Sequence, residues 1–443
     1  MKNVGFKIIF LFALVFGFSS QAQSKKWTLK ECVDYALKNN ISIKQSELDL
    51  KISDVEKMEA VGNFLPTLNG NASFSVNTGA SINPVTNQFQ NETFQSFSAG
   101  LNSSVNLFNG LVNWKTLQRS KLNKIANSYR LDKMKDDIAL SIANSYLQIL
   151  FNKEQLKVQK NQNSITKENI IRTQKLIDAG SLPAGDIYEL QATDATQQQQ
   201  IIGTENTLLI SKIALCQTLL IEEYSTFDVS DVPVDVPVSS IINETQESIL
   251  AKAKESVKDI KIATSNVEIA KKDVAISKSS YLPTLSGFIG YNTRWSENPF
   301  FNFIDQLSLF DGTAVGAQLN VPIFNGFATK GRVKRAKINQ ERTEFQLKQA
   351  ELDLERNVYQ AYNDVVNAGK SFEAAQKSLE ARKQAFNFSK ERYNVGLMNA
   401  FDFSQSTIAF ENAQSEVLRT KYDYVFKTKV LEFYFGIPII ENK

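Results

Sequence analysis

Asp186 and Asp402 each stand six residues beyond a glycine, Gly180 and Gly396. Carboxylates so placed can cap a helix N-terminus or attract cations, and two of them brought together can act as acid and base. The last use needs a pocket that converges a carboxylate pair, and no α/β or closed-pocket pattern in this chain supplies one, so no enzyme is expected. The chain has no histidine, which removes Ser-His-Asp triads, histidine-ligated zinc and imidazole proton shuttles. With only Cys32 and Cys216, a four-cysteine metal site within one chain is impossible, and no cofactor site is read. The two cysteines either pair in an oxidising compartment or lie buried as small apolar side chains. No Gly-x4-Gly-Lys-Ser/Thr loop is present, so directional energy must come from a partner. The 50 Lys plus Arg against 47 Asp plus Glu argue against a nucleic-acid or polyanion binder.

The elements that must position Asp186 and Asp402 come in duplicate. Shifting the sequence by 217 residues lays 28–68 on 245–285 without a gap, ending in Leu65-Pro66-Thr67-Leu68 and Leu282-Pro283-Thr284-Leu285. After a one-residue deletion, Phe108-Asn109-Gly110 falls on Phe324-Asn325-Gly326, Tyr146 on Tyr362, Gly180 on Gly396 and Asp186 on Asp402. Landmarks in one register over such a length mean duplication. The expected organisation is a signal peptide over residues 1–22, a first repeat over 23–243 and a second over 244–443. The signal peptide is read from Lys2 and Lys7, the apolar run 8–18 and the small residues Ser20 and Ala22. Pro233 and Pro237 mark the joint between the repeats.

Each repeat carries a helix, a β-hairpin and a long helical hairpin. The hairpins are expected at 68–108 and 285–324. Leu68, Ala72, Phe74 and Val76, then Phe97, Ala99, Leu101, Val105 and Leu107, alternate with Asn and Ser in the first copy. Leu285, Ile289, Tyr291 and Trp295, then Val315, Ala317, Leu319, Val321 and Ile323, do so in the second. Period two means strands with one apolar face, each about 10 to 12 residues long, enough to cross hydrocarbon when tilted. A half-buried hairpin of a soluble sheet has the same pattern. The links 78–93 and 296–311, read as polar, favour outward loops of a membrane barrel.

The helical hairpins, at 111–224 and 327–435, step by seven: Val358, Val365, Phe372, Leu379, Phe386 and Tyr393 on the way out, and Phe403, Phe410, Val417, Tyr424 and Leu431 on the way back. Ile142, Ile149, Leu156, Asn163, Ile170 and Ile177, then Ile187, Asp194, Ile201, Leu208 and Leu215, match them in the first copy. A sustained step of seven means coiled-coil packing, and Ala361, Ala368 and Ala375 permit close approach. Residues 111–179 as one helix would span roughly 100 Å, longer than a compact domain requires. Thr28-Leu29-Lys30-Glu31 reads as a capping box opening the N-terminal helix. Four strands cannot close a barrel, and an open edge in lipid leaves backbone groups unsatisfied, so the chain is expected to form a symmetric ring.

The Leu-Pro-x-Leu start of each β-hairpin, the Pro322 to Gly326 exit with its counterpart Val105 to Gly110, and the Gly-x5-Asp reversals resemble the TolC family of outer-membrane efflux proteins across essentially the whole mature chain. The resemblance implies a mostly α fold with a membrane β-barrel. It implies a homotrimer whose twelve-stranded barrel, four strands per chain, continues into a coiled-coil periplasmic tunnel, with a belt near 227–243 and the C-terminal tail. It implies an exit duct of a tripartite efflux or type I secretion system, in contact with outer-membrane lipid and with a periplasmic adaptor and inner-membrane pump, the pump largely setting the cargo. By resemblance Asp402 lines a constriction, with Asp186 as its counterpart, and Tyr393 is a gate-holding aromatic. Met398 and Gln405 depart from the family pattern, in which an arginine and a second acidic ring stand there. Asp402 and Asp186 also read as helix caps, and Tyr393 as a heptad core residue. The turns with Gly180, Ser181 and Leu182, and with Gly396, Leu397 and Met398, are the expected adaptor-docking features. A trimeric adhesive coiled-coil surface protein would share the heptads but has no need of two membrane-length hairpins.

Overall fold

The computed structural model describes residues 26–82, 87–231, 240–297 and 301–438. The expected signal peptide, Pro233, Pro237 and the end of the C-terminal tail lie outside the described residues. The chain forms two compact units, and neither is one repeat. One comprises Gln45–Lys133 and Lys258–Asp353, the other Met1–Lys44, Met134–Val257 and Leu354–Lys443, so both copies contribute to both units.

The first of these units holds a four-stranded antiparallel sheet in the order β2 (Thr67–Ile82), β3 (Phe89–Asn109), β5 (Thr284–Ser296), β6 (Gly312–Asn320). The register carries the alternation across the sheet: Phe74 faces Phe97, which faces Trp295; Ala72 faces Ala99; Leu101 faces Tyr291; Ile289 faces Val315; Leu285 faces Leu319. All of these lie on one face because side chains directly opposite in a ladder share a side. The other face carries Ser and Asn, with Ser73 to Ser98 at 2.8 Å, Ser75 to Ser96 at 2.7 Å and Asn102 donating to Asn71 at 3.0 Å. Phe94, opposite Asn77, and Phe288 also lie on this face, and the Phe288 ring occupies the space over Gly316 that a Cβ there would fill.

Three expectations for the hairpins are corrected. Residues 78–82 and 89–93 are not loop: the ladder continues through Thr78↔Thr93 to Ile82↔Phe89, because Ser and Thr pair across strands as well as they solvate a loop. The link 296–311 is not polar; it contains a helix, Phe303–Leu309, packed on the sheet. Val321 and Ile323 fall beyond β6, which ends at Asn320 just before Pro322, a residue that cannot donate to a ladder. Helix segments below the sheet are tied by polar contacts, with Asn113 donating to the Asn63 carbonyl at 2.6 Å and Lys115 to Ser279 at 2.7 Å.

The second unit contains the middle and far parts of two 67-residue helices, α3 (Val112–Asp178) and α8 (Ala328–Asn394), and their return helices, α4 (Asp186–Leu219) and α9 (Ala400–Tyr434). The N-terminal helix opens with the expected capping box at Thr28 and is broken at Asn40 into α1 (Leu29–Asn39) and α2 (Ile41–Gly62). The equivalent helix of the second copy, expected unbroken, is split at Val257 into α5 (Gln246–Ser256) and α6 (Lys258–Ser279). Both break residues are extended and buried.

One core joins Cys32, Val33 and Ala36 of α1 to Ile142, Tyr146 and Ile149 of α3, Leu215, Cys216 and Leu219 of α4, and Phe227 and Val229. No disulfide joins Cys32 and Cys216, and burial pushes the Cys216 thiol up to about 11. Beside this core β1 (Lys26–Trp27) runs parallel to β4 (Asp228–Val229). Burial works against the charged form of Asp228. Lys153 at 2.8 Å and Lys212 at 2.9 Å nevertheless hold its carboxyl below the usual range.

Candidate functional site

Both helical hairpins reverse on a glycine in the left-handed region, φ +73° at Gly180 and +72° at Gly396. In each the next residue's N–H reaches back five residues, Ser181 to the Leu176 carbonyl and Leu397 to the Arg392 carbonyl, both at 2.8 Å. This glycine-terminated cap satisfies carbonyls that the helix end leaves open, and only glycine takes that backbone without steric cost. Gly180, Ser181, Gly396 and Leu397 are exposed as expected. Leu182 and Met398 are half-buried, each packing on a core of Leu190, Phe386, Tyr393, Ala400 and Phe403.

Within that core Tyr393 stacks on Phe403 with centroids 4.6 Å apart and planes 4° from parallel, and Phe386 stacks on Phe403 and Phe410 at 6.0 and 5.0 Å. The Tyr393 hydroxyl lies 2.7 Å from Thr173 Oγ1, tying α8 to α3. Burial raises the Tyr393 phenol above its usual range, the Thr173 bond opposes this, and the Asp186 charge adds to it. Tyr393 and Asp186 are therefore within electrostatic reach of each other. Asp402 and Gln405 are exposed on α9, three residues apart and so on neighbouring positions of one helix face.

The capping reading of Asp402 needs correction. The N-cap is Asn399, whose side chain accepts from the Asp402 N–H at 2.8 Å, while Asp402 accepts from the Asn399 amide at 3.0 Å. Asp186 is not a cap either: it is the first helical residue of α4, behind Gly185, which contributes no side-chain cap, whereas Asp402 is the third residue of α9. The spacing Asn399-x-x-Asp402 was the available signal.

Sequence reasoning missed a polar layer among α3, α4 and α9. Asn163 donates to Asp194 at 2.7 Å, Gln197 donates to Glu411 at 2.5 Å, and Thr193 lies 2.8 Å from Ser404. A cavity of about 250 Å³ adjoins it, lined by Gln159, Gln162, Glu189, Gln197, Glu411 and neighbouring residues. Burial lifts the Glu411 carboxyl to about 7, and the Gln197 amide offsets this only in part. The hint in the sequence was polar residues at two heptad positions, Asn163 and Asp194.

Among the described residues no helix is long and apolar enough to cross a membrane. The chain matches the family described as "Outer membrane efflux protein" over residues 32–219 and 249–436. It is 22% identical to the outer membrane protein TolC of Vibrio cholerae, over 84% of this chain and 82% of that one. It is 24% identical to the pyoverdine export outer membrane protein OpmQ of Pseudomonas aeruginosa, over 73% and 67%. Its fold is similar to the solved structure of the outer membrane protein VceC from Vibrio cholerae, with a TM-score of 0.75 at 15% identity, covering 93% of this chain and 97% of that one. A duplicated match spanning most of the chain, joined to a sheet with one continuous apolar face and to glycine-capped helical hairpins, establishes that this protein belongs to the TolC family of outer membrane efflux proteins and is an outer-membrane efflux or secretion channel.

Proposed function

We propose that three copies of the chain close their sheets into one twelve-stranded barrel and their long helices into a periplasmic tunnel, forming a passive exit duct for an inner-membrane pump and its periplasmic adaptor. The observation that carries this is unpartnered structure at both edges of the chain. β2 and β6 end the sheet with no further strand among the described residues. An open edge in hydrocarbon costs several kcal/mol per unsatisfied backbone group. Leu48 and Val55 of α2, and Ile338, Phe345 and Leu352 of α8, are exposed at steps of seven. Such stripes need helices from another chain. The two repeats, 23–243 and 244–443, are the products of a duplication that let one chain supply two near-equivalent wall segments.

In this reading Asp402 and Gln405 of each chain face the narrow end of the duct, and Tyr393 holds α8 and α9 together from behind. The exposed turn residues, Gly180, Ser181, Gly396 and Leu397, meet the adaptor. Three carboxylates near one axis attract cations, so the duct is cation-selective and blocked by polyvalent cations. Single-channel recording of the Asp402→Asn protein tests this. Loss of selectivity and block is expected with trimers intact, since the Asn399 side chain still caps the helix. Unchanged selectivity and block would assign Asp402 to the helix start alone.

A further inference from the structure

The helix α7 (Phe303–Leu309) has no part in the duct as described, yet it is built into the sheet rather than hanging from it. β6 begins at Gly312, paired with Asn292, so residues 293–296 of β5 have no β6 partner. Gln306, with 0% exposure, fills that role. Its Oε1 accepts from the Ser296 N–H at 3.0 Å and its Nε2 donates to the Ser296 carbonyl at 2.9 Å, as a paired strand residue would. Thr293 donates to the Leu307 carbonyl at 2.6 Å, and Phe303 packs 5.4 Å from both Phe97 and Trp295. Phe97, Thr293 and Trp295 all lie on the apolar face of the sheet, so α7 is seated on that face at the strand ends opposite the helical connections.

α7 turns a mainly apolar surface outward, with Asp305 and Ser308 also exposed on it. Ile304 is 74% exposed and Leu309 57%, with Phe301 and Phe303 also exposed, and the helix carries no basic residue. We propose that α7 is an interfacial anchor, resting on the assignment of the apolar sheet face to lipid. Its exposed side chains enter the boundary between headgroups and acyl chains of the outer leaflet. Continuity decides the occupant: this apolar surface extends the strip formed by Leu101, Tyr291, Val315 and Leu319 through Phe97 and Trp295, with the Thr293 hydroxyl between them bonded to α7, and aromatic residues at strand ends are the usual girdle of a membrane barrel. A helix lying in the interface buries its apolar side by a few ångströms, which suits residues of this kind on so short an element.

The test places a bimane fluorophore on Ile304→Cys, on Leu309→Cys, and on Leu319→Cys and Gln318→Cys as references, with Cys32 and Cys216 replaced by alanine. Trimers are reconstituted in phosphatidylcholine vesicles whose acyl chains are brominated either near the headgroup or near the chain end. Quenching of the Ile304 and Leu309 labels by the shallow bromines is expected to exceed that of the Gln318 label by about three-fold or more, with the deep bromines less effective. If Leu319 is quenched by lipid while the two α7 labels respond only to aqueous iodide, α7 stands in water and the anchor is overturned, with the sheet assignment intact. If both α7 labels are shielded from lipid and iodide alike, a second copy of the chain covers the helix, which also overturns it. If Leu319 too escapes the bromines, the lipid-facing assignment of the sheet fails and the anchor falls with it.

Discussion

The helical hairpins α3/α4 and α8/α9 have the same helix lengths to within a residue, yet their cores differ in kind. The second hairpin places Leu379, Phe386, Tyr393, Phe403 and Phe410 at its heptad positions near the reversal, and four of these form one aromatic stack. The first has Asn163, Ile170, Ile177, Ile187 and Asp194 at the same places, and its amide and carboxyl side chains meet Glu411 of α9 beside a cavity. The second return helix starts behind a side-chain cap, Asn399, where the first starts behind Gly185. Burying a large apolar side chain contributes about 1.5 to 3 kcal/mol, whereas a hydrogen bond that replaces one to water adds only about 1. Duplication thus left the heptad row aromatic in the second copy and polar at Asn163 and Asp194 in the first, and both copies meet in each layer, Leu190 at the aromatic core and Glu411 at the polar one.

The largest expected effect comes from the stack. Phe403→Ala should destabilise the long-helix unit by about 3 to 5 kcal/mol, and Ile187→Ala, its counterpart in the first hairpin, by roughly 2. Hydrogen exchange across α8 and α9 against α3 and α4 measures both. Equal losses would erase the distinction between the hairpins.

Next is the polar layer. The Glu411 carboxyl, raised from 4.5 to about 7 by burial, binds its proton more tightly in the folded chain than in the unfolded one. Stability is therefore fully present below pH 4.5 and falls as pH rises toward 7, by on the order of 3 kcal/mol at neutral to alkaline pH. Glu411→Gln should flatten the dependence of unfolding on pH over that window. A wild-type protein more stable at pH 8 than at pH 5 would refute the assignment.

The smallest effect sharpens the comparison at the other end of the return helices. α9 stops at Gly436, φ +89°, but α4 stops at Leu220, φ +60°, held by the same backbone bonds from the following residues. A left-handed leucine costs roughly 1 to 2 kcal/mol, so Leu220→Gly should stabilise the first hairpin by about 1 kcal/mol or less after loss of its partly exposed side chain. Thermal unfolding followed by circular dichroism reports the sign, and a loss of stability would mean that the leucine packs for more than its backbone costs.

Much of the architecture was legible before any coordinates. Repeats, strand faces and heptads are periodic properties, and periodicity survives in a linear string because burial of one face selects every second or every seventh residue. The reversals were legible because a left-handed backbone favours glycine, which marks Gly180 and Gly396 by residue type. The strand ends were not: Ser and Thr serve a ladder as readily as a loop, so 78–93 read as a link. Nor could α7 be seen, since its seat depends on Gln306 meeting an edge that exists only because β6 is short.

The sequence by itself determined that this chain is a duplicated set of one-faced strands and seven-residue-step helices, because local backbone geometry and the water-to-apolar transfer of each side chain act residue by residue. Only the tertiary structure decided which heptad positions became an aromatic stack and which a polar layer, and that Asn399 rather than Asp402 caps α9. It also decided that Glu411 holds its proton near neutrality. These properties belong to pairs of groups brought together from distant parts of the chain. Their energies depend on distance and on exclusion of water, and neither quantity exists until the helices have packed.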